Sequence, residues 1–173
     1  MNYIKISKCD IANGTGIRVV LWIAGCSHKC NGCHNPNTWD YNAGKIFDKD
    51  AKNELFDALS KEYVDGITFS GGDPLNEHNI IAVLTLVKSI KDKFPNKTIW
   101  LYTGYTWEQI MNGSDNNMKI RKNIINLLDI LVDGPFEIDK KDITLLWKGS
   151  SNQRVIDVQK MIISRLQQHL FAL

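Results

Sequence analysis

The sequence lacks the features that mark several large classes of protein. No apolar run approaches the ~20 residues that a membrane-spanning helix needs, and the N-terminal stretch MNYIKISKCDIANG has no apolar segment of a secretory leader. The formal net charge is only +2, and the lysines are scattered among aspartates and glutamates, unlike a phosphate-binding surface. We therefore expect a cytoplasmic protein that binds neither a membrane nor nucleic acid.

Low-complexity tracts are also absent, which argues against a disordered chain. Hydrophobic residues make up 43% of the sequence and charged residues 23%, as in ordinary globular proteins. A chain of 173 residues is long enough to bury one continuous core. The sequence therefore predicts a single domain over residues 1–173.

Cysteine is scarce, but three of the four cysteines fall within eight positions. Cys26, Cys30 and Cys33 have the spacing C-x3-C-x2-C inside the stretch AGCSHKCNGCHNPNTW, residues 24–39. The glycines and the proline around them disfavour a helix, so the thiolates can surround a common centre. In a reducing compartment, clustered cysteines are more often metal ligands or redox groups than disulfides.

Three sulfurs without a neighbouring fourth leave three interpretations open. One is an iron–sulfur cluster with three protein ligands and one open iron, which the spacing favours. The second is zinc, which usually has four ligands in two separated pairs. His28 or His34 would have to complete that site, although His34 directly follows Cys33. The third is a loop of free thiols without metal. Cys9 is distant in sequence, and we expect a plain thiol there.

Apolar periodicity predicts alternating strands and helices. The run IRVVLWIAG, residues 17–25, is typical of a strand covered on both faces, and ITFS, TIWLY and DILV predict three more strands. Helices are predicted after the N-cap Asp48, after the turn GGDP, around residues 118–128 and over Val155 to Leu170.

This alternation indicates an α/β fold with a parallel sheet. A closed eight-stranded barrel takes ~250 residues, so we predict a partial, open parallel β/α barrel. The loops that leave the carboxyl ends of the strands should meet at one rim. The cysteine loop, GGDP, TGYTW and DGPF are therefore expected to converge there.

The cysteine spacing after a first strand resembles the signature of radical S-adenosylmethionine (SAM) enzymes. SGGDP, residues 70–74, resembles their GGE-type motif with Asp73 in place of the usual Glu. The stretches NGTGIRVVLWIAGCSHKCNGCHNPNTW, YTGY, LVDGPF and KGSSNQRVIDV resemble the activating proteins of anaerobic ribonucleoside-triphosphate reductases. The likeness runs from about Asn13 to Val158, and Gly32, where many radical SAM enzymes carry an aromatic residue, suits this family.

The resemblance implies a [4Fe–4S] cluster on Cys26, Cys30 and Cys33, with SAM bound to the fourth iron through its amino and carboxylate groups. Reductive cleavage of SAM would give methionine and a 5'-deoxyadenosyl radical, which in this family removes a hydrogen from a glycine Cα of the large reductase subunit. A low-potential donor such as flavodoxin or ferredoxin would supply the electron. No catalytic side chain is implied beyond the cluster and SAM.

The implied SAM contacts are Gly32, Cys33, His34, Ser70, Gly71, Gly72 and Asp73. The first three would pass close to the adenine, where main-chain groups can bind its polar edge. The glycine pair would allow close approach, and Asp73 would accept a hydrogen bond from the SAM ammonium. As structure alone, the same residues are a tight turn with Asp73 as the N-cap before Pro74.

Other polar and aromatic residues near these motifs are assigned more simply. We expect His28 to face solvent or to hydrogen-bond near the cluster. Tyr102 and Tyr105 are expected to belong to the core, outside the site. The segments Asn13–Arg18 and Ser150–Arg154 either line the mouth of the site or form ordinary turns.

Two other functions remain open at this point. The same radical chemistry would serve another glycyl radical enzyme such as pyruvate formate-lyase. A protein of a different class, a zinc-stabilised binding module or a simple electron carrier, would use the cysteines without SAM.

Overall fold

A computed structural model describes residues 1–170, except for the side chains at positions 165, 166 and 168–170. The strands are β1 (Asn2–Asp10), β2 (Arg18–Ile23), β3 (Lys45–Ile46), β4 (Gly66–Gly71), β5 (Thr98–Tyr102), β6 (Ile130–Asp133) and β7 (Arg154–Asp157). The helices are α1 (Lys49–Leu59), α2 (Ile80–Lys93), α3 (Trp107–Asn112), α4 (Asn116–Ile125) and α5 (Val158–Leu170). Within this described part, no helix is long and apolar enough to cross a membrane.

The strands form one mixed sheet in the order β3-β1-β2-β4-β5-β6-β7. The four central strands, β2, β4, β5 and β6, are parallel, which confirms the α/β prediction for the centre of the sheet. The prediction of an entirely parallel sheet is wrong, because β1, β3 and β7 pair antiparallel at the two sides of the sheet. The reason is the connections: residues 11–17 and 134–153 contain no α-helix, and a parallel neighbour requires a crossover.

The two faces of the sheet have different roles. Side chains alternate between faces along a strand. One set from β4 and β5 belongs to a core shared with α1, α2, α3 and α4: Ile67, Phe69, Ile99 and Leu101. The other set faces away from these helices: Thr68, Ser70, Trp100 and Tyr102. The helices therefore stabilise one face and leave the other for polar and aromatic groups.

Two predicted helices begin later than expected. The helix α1 does begin after Asp48, whose side chain accepts a hydrogen bond from Ala51 N at 2.9 Å. However, α2 begins at Ile80 and not after GGDP, so the interpretation of Asp73 as a helix N-cap is wrong. The C-terminal helix begins at Val158, because the preceding four residues pair with β6 as β7.

The segment predicted as the loop TGYTW also contains the start of a helix. Thr106 Oγ1 accepts a hydrogen bond from Gln109 N, and Gln109 Oε1 accepts one from Thr106 N, which is a capping box. The T-x-x-Q pattern in the sequence is typical of such a helix start, and it could have predicted α3.

Arg18, at the start of β2, is a buried cation without a carboxylate partner among its hydrogen bonds. Its guanidinium donates to Thr68 Oγ1 (2.7 Å), Ile67 O (2.6 Å), Thr98 O (3.0 Å), Thr98 Oγ1 (3.0 Å) and Thr15 O (3.2 Å). It also lies 5.2 Å from the centre of the Trp100 ring. Burial lowers the pKa of Arg18 to about 10, so the group remains charged at neutral pH. This single side chain joins three strands on the face opposite the helices.

We predict that Arg18→Ala lowers the free energy of unfolding of the apoprotein by about 3 kcal/mol or more, because a cavity and several unpaired buried acceptors remain. Anaerobic urea denaturation followed by tryptophan fluorescence measures the change. Lys8→Ala, which removes an ion pair between exposed side chains, is the control and should leave stability unchanged within error. Equal stability of the two variants would contradict this role of Arg18.

Candidate metal centre

The carboxyl ends of the parallel strands surround a cavity of about 400 Å³. All four loops that were expected to converge contribute to its wall. Among the lining residues are Cys26, Cys30, Cys33, His34, Ser70, Gly71, Gly72, Asp73, Thr103, Gly104, Gly134 and Phe136. The prediction that these four loops meet at one rim of the sheet is therefore confirmed.

The cysteine loop is irregular and closed by main-chain hydrogen bonds. Cys26 N donates to Trp39 O at 3.1 Å, and a tight turn joins Cys33 N to Cys30 O at 3.1 Å. All three thiols line the cavity. The loop thus presents three sulfurs to one space from a stretch, residues 26–33, that contains neither helix nor strand.

Burial changes the chemistry of two of these thiols. It raises the pKa of Cys26 to about 11, with a smaller effect in the same direction from the Asp73 carboxylate. Burial also raises the pKa of Cys30. Both groups are therefore neutral thiols at neutral pH in the metal-free protein. Metal ligation needs the thiolate, so binding must displace their protons.

The thiols do not form a preorganised site for a single ion. Over residues 1–170, no three His, Cys, Asp or Glu side chains are close enough together to hold one metal ion. Zinc needs all its donors within about 2.3 Å of one point. In a four-iron cluster each thiolate binds a different iron, so the sulfurs need not converge. The positions of the three thiols are therefore compatible with an iron–sulfur cluster.

Asp73 is the most connected side chain at the rim, and it is 1% exposed. Its carboxylate accepts hydrogen bonds from Leu75 N (2.8 Å), Thr103 Oγ1 (2.9 Å) and Gly104 N (3.3 Å). Its own main-chain N donates to Gly25 O at 2.8 Å. One residue thus joins the loop after β4 to the loop after β5 and to the start of the cysteine loop.

His28 extends these contacts into the cysteine loop. Its Nε2 lies 2.7 Å from Asp73 Oδ2, close enough for an ion pair, although the contact lacks the alignment of a hydrogen bond. The ring packs edge-on against Tyr105 at 4.7 Å between centroids. Its side chain is only 20% exposed, so the expectation that His28 faces solvent is wrong. The contacts with the Asp73 carboxylate and the Tyr105 ring keep the His28 side chain away from solvent.

The space for the His28 ring depends on Gly104. A Cβ atom placed on Gly104 would lie 2.5 to 2.8 Å from three atoms of that ring. Arg121 holds Tyr105 in place. Its Nη2 donates to the Tyr105 hydroxyl at 3.0 Å, and its Nε donates to Leu75 O, in the loop after β4, at 2.8 Å. The loops after β2, β4 and β5 therefore form one connected rim.

The glycine pair of SGGDP also has a packing role. Gly71 has φ +101, and a Cβ there would lie 2.7 Å from Ile23 O. A Cβ on Gly72 would lie 2.5 Å from Gly25 O. Close approach of the backbone that enters the cysteine loop therefore requires both glycines, whatever else binds beside them.

Most predicted site residues lie on the same cavity, with some differences. Gly32 is not among its lining residues; it has φ +72, and a Cβ there would meet Ile138 at 2.7 Å. His34 is exposed, with its ring 5.0 Å from that of Phe136. Tyr102 lines the cavity, contrary to the expectation that it lies outside the site, whereas Tyr105 does not line it.

The two uncertain segments contribute in part. Asn13 and Gln153 line the cavity, while Arg18 is fully buried and does not line it. Sequence patterns did not predict one side of the wall, which is formed by Leu145, Trp147, Lys148 and Gly149. This segment has neither helical nor strand periodicity, so only the family stretches LVDGPF and KGSSNQRVIDV pointed to its neighbourhood.

Three cysteines line the cavity from an irregular loop at the carboxyl end of a parallel strand. This arrangement is typical of an iron–sulfur domain with an adjoining ligand pocket. Sequence comparison agrees, because a family model described as a 4Fe-4S single cluster domain matches residues 12–156.

Curated relatives narrow the class further. The chain is 42% identical to the anaerobic ribonucleoside-triphosphate reductase-activating protein of Enterobacteria phage T4, over 90% of this chain and 93% of that one. It is 40% identical to the protein of that name from Escherichia coli K12, over 90% and 97%. The Pasteurella multocida protein is 37% identical over 88% and 95%. The chain belongs to the family of anaerobic ribonucleoside-triphosphate reductase-activating proteins.

We predict that Gly104→Ala lowers the free energy of unfolding by about 1–3 kcal/mol, because the new methyl group would overlap the His28 ring. Urea denaturation of the apoprotein measures this. Adding His28→Ala should make the cost of Gly104→Ala much smaller. An unchanged cost in that background would show that the two residues are not coupled.

We also predict a pH dependence for Cys26 in the metal-free protein. Because the raised pKa keeps the thiol protonated, alkylation by iodoacetamide should be slow at pH 7.5 and should accelerate towards pH 11. Peptide mapping by mass spectrometry gives the rate at each cysteine, and the exposed Cys9 reports the reactivity of an accessible thiol. Rapid labelling of Cys26 at pH 7.5 in the folded protein would contradict the effect of burial.

Proposed function

We propose that the protein activates an anaerobic ribonucleoside-triphosphate reductase by radical SAM chemistry. Cys26, Cys30 and Cys33 would hold a [4Fe–4S] cluster, and SAM would occupy the adjoining cavity. The observation that carries this proposal is the placement of three thiols, and no fourth cysteine, on the wall of a ligand-sized cavity. When bound, the reduced cluster and SAM would supply the 5'-deoxyadenosyl radical that oxidises a glycine Cα of the reductase.

The cavity suits this pair of cofactors. Its volume of about 400 Å³ falls in the ordinary range for small-molecule sites. Three protein ligands leave one iron of a four-iron cluster free to bind a small molecule. Ser70, Gly71 and Gly72 line the cavity at the carboxyl end of β4. This position is where open α/β sheets generally bind ligands.

The Asp73 side chain is a poor candidate for the SAM ammonium. Its carboxylate is 1% exposed and already accepts three hydrogen bonds in addition to the contact with His28. A carboxylate offers about four acceptor positions, so few remain. We therefore propose that main-chain carbonyls of the Ser70–Gly72 segment receive the ammonium, and that Asp73 orients that segment.

The remaining wall would orient the nucleoside and exclude water. The segment Gly32–His34 would pass beside the adenine through its main-chain groups, as expected from the sequence. Aromatic rings of Trp22, Tyr102 and Trp147 line the cavity and reduce its polarity. Exclusion of water protects a reactive intermediate from side reactions.

The fold supports the proposal that this is one partial radical SAM barrel. Four parallel strands carry helices on one face, and the opposite face borders the cavity. The reductase large subunit would present its glycine from this open side. Glycine suits such a reaction because its Cα has no side chain to block approach. We also propose flavodoxin or ferredoxin as electron donor, from the resemblance, and a cytoplasmic location, from the sequence.

The test is anaerobic reconstitution with iron and sulfide, followed by dithionite and SAM. We expect a brown protein that forms 5'-deoxyadenosine, and Cys26→Ala, Cys30→Ala and Cys33→Ala should each lose both the cluster and this product. Cys9→Ala, at an exposed position on β1, is the matched control and should retain both. Reductase added to the mixture should develop the doublet of a glycyl radical in the electron paramagnetic resonance spectrum.

Two results would count against the proposal. An intact cluster without any SAM cleavage would exclude radical SAM chemistry. A doublet on pyruvate formate-lyase but not on the reductase would assign the chemistry to a different glycyl radical enzyme.

A further inference from the structure

Large apolar side chains are exposed in two segments that also contribute to the cavity wall. Ile143 is 90% exposed, Ile11 78%, Leu146 70% and Ile138 41%. Each belongs to a segment that also lines the cavity, either residues 11–17 or residues 134–153. We call these four residues the mouth surface. Exposed apolar groups on segments that line a site point to an interaction surface there.

The two most exposed residues of the second segment, Ile143 and Leu146, lie in residues 142–149, which we call the tongue. Its base is closed by an antiparallel bridge between Lys141 and Ser150 and by a hydrogen bond from Asp142 N to Gly149 O at 3.3 Å. Gln153 Oε1 accepts further hydrogen bonds from the main chain at its end. The tongue is therefore anchored at both ends.

The tongue has two sides with different environments. Leu145 and Trp147 line the cavity, and the Trp147 ring packs edge-on against Trp100 at 5.2 Å. Ile143 and Leu146 are exposed instead. Trp147 has φ +59, a conformation that bulky residues rarely adopt. The tongue therefore has apolar side chains towards the cavity and others exposed to solvent.

We propose that the mouth surface is the docking site for the glycine-bearing loop of the reductase, an inference that rests on the proposed function. A polypeptide substrate delivers one residue into the cavity, so the residues that flank the glycine must cross the rim. The tongue is continuous with the cavity wall and offers apolar contacts at that crossing. The partner segment should therefore be a loop whose glycine is flanked by apolar side chains.

The experiment uses the reconstituted protein and the complete reductase. In Ile143→Ser/Leu146→Ser, we expect the reductase concentration for half-maximal glycyl radical formation to rise about tenfold, because two apolar side chains that the docked loop would bury are lost. SAM cleavage without reductase should remain within twofold of the unsubstituted protein. Ile46→Ser/Ile81→Ser is the matched control, since both isoleucines are exposed but lie outside the cavity wall, and its reductase dependence should not change.

The outcomes separate the two proposals. If the unsubstituted, reconstituted protein did not cleave SAM, the proposed function itself would be overturned. Intact SAM cleavage with an unchanged reductase dependence in the tongue variant would overturn only the docking site. A variant that instead loses self-association in sedimentation, without a change towards the reductase, would show that a second copy of this chain occupies the surface. Ile143→Leu/Leu146→Met should restore normal dependence if apolar contact is what matters.

Discussion

Asp73 places a carboxylate in a nearly water-free position where three loops of the rim meet. A buried charge is unfavourable unless hydrogen bonds or opposite charges compensate it. Here Leu75, Thr103, Gly104 and His28 surround it, so the same contacts that stabilise the carboxylate fix the loops that supply them. The shape of the cysteine loop consequently depends on residues that come more than forty positions later in the chain.

The short side chain suits this location. An Asp carboxylate can accept a hydrogen bond from the main chain two residues later, as it does from Leu75 N, and this local turn moves the start of α2 to Ile80. A Glu is one methylene longer and would extend beyond that turn towards the cavity. The Asp of SGGDP therefore belongs to the framework of the rim.

Sequence patterns predicted the centre of this fold better than its periphery. Strands β2, β4, β5 and β6 were evident because burial on both sides produces continuous apolar runs. The strands β1 and β7 were missed because they lie outside the parallel centre and are only partly buried. Motif spacing located the cysteines, but the inward position of His28 depends on Asp73 and Tyr105, which no local pattern connects to it. The tongue was missed because its structure comes from a bridge at its base and not from periodicity.

The neutral state of the buried thiols has a consequence beyond cluster assembly. Disulfide formation begins with attack by a thiolate, and a protonated sulfur reacts slowly. Cys26 and Cys30 lie four positions apart on one loop, so a bond between them would block any later uptake of iron. Because burial raises the pKa of both groups, brief exposure of the empty protein to air should leave them reduced for longer than two exposed cysteines at the same spacing. These two sulfurs would thereby remain available as metal ligands for longer.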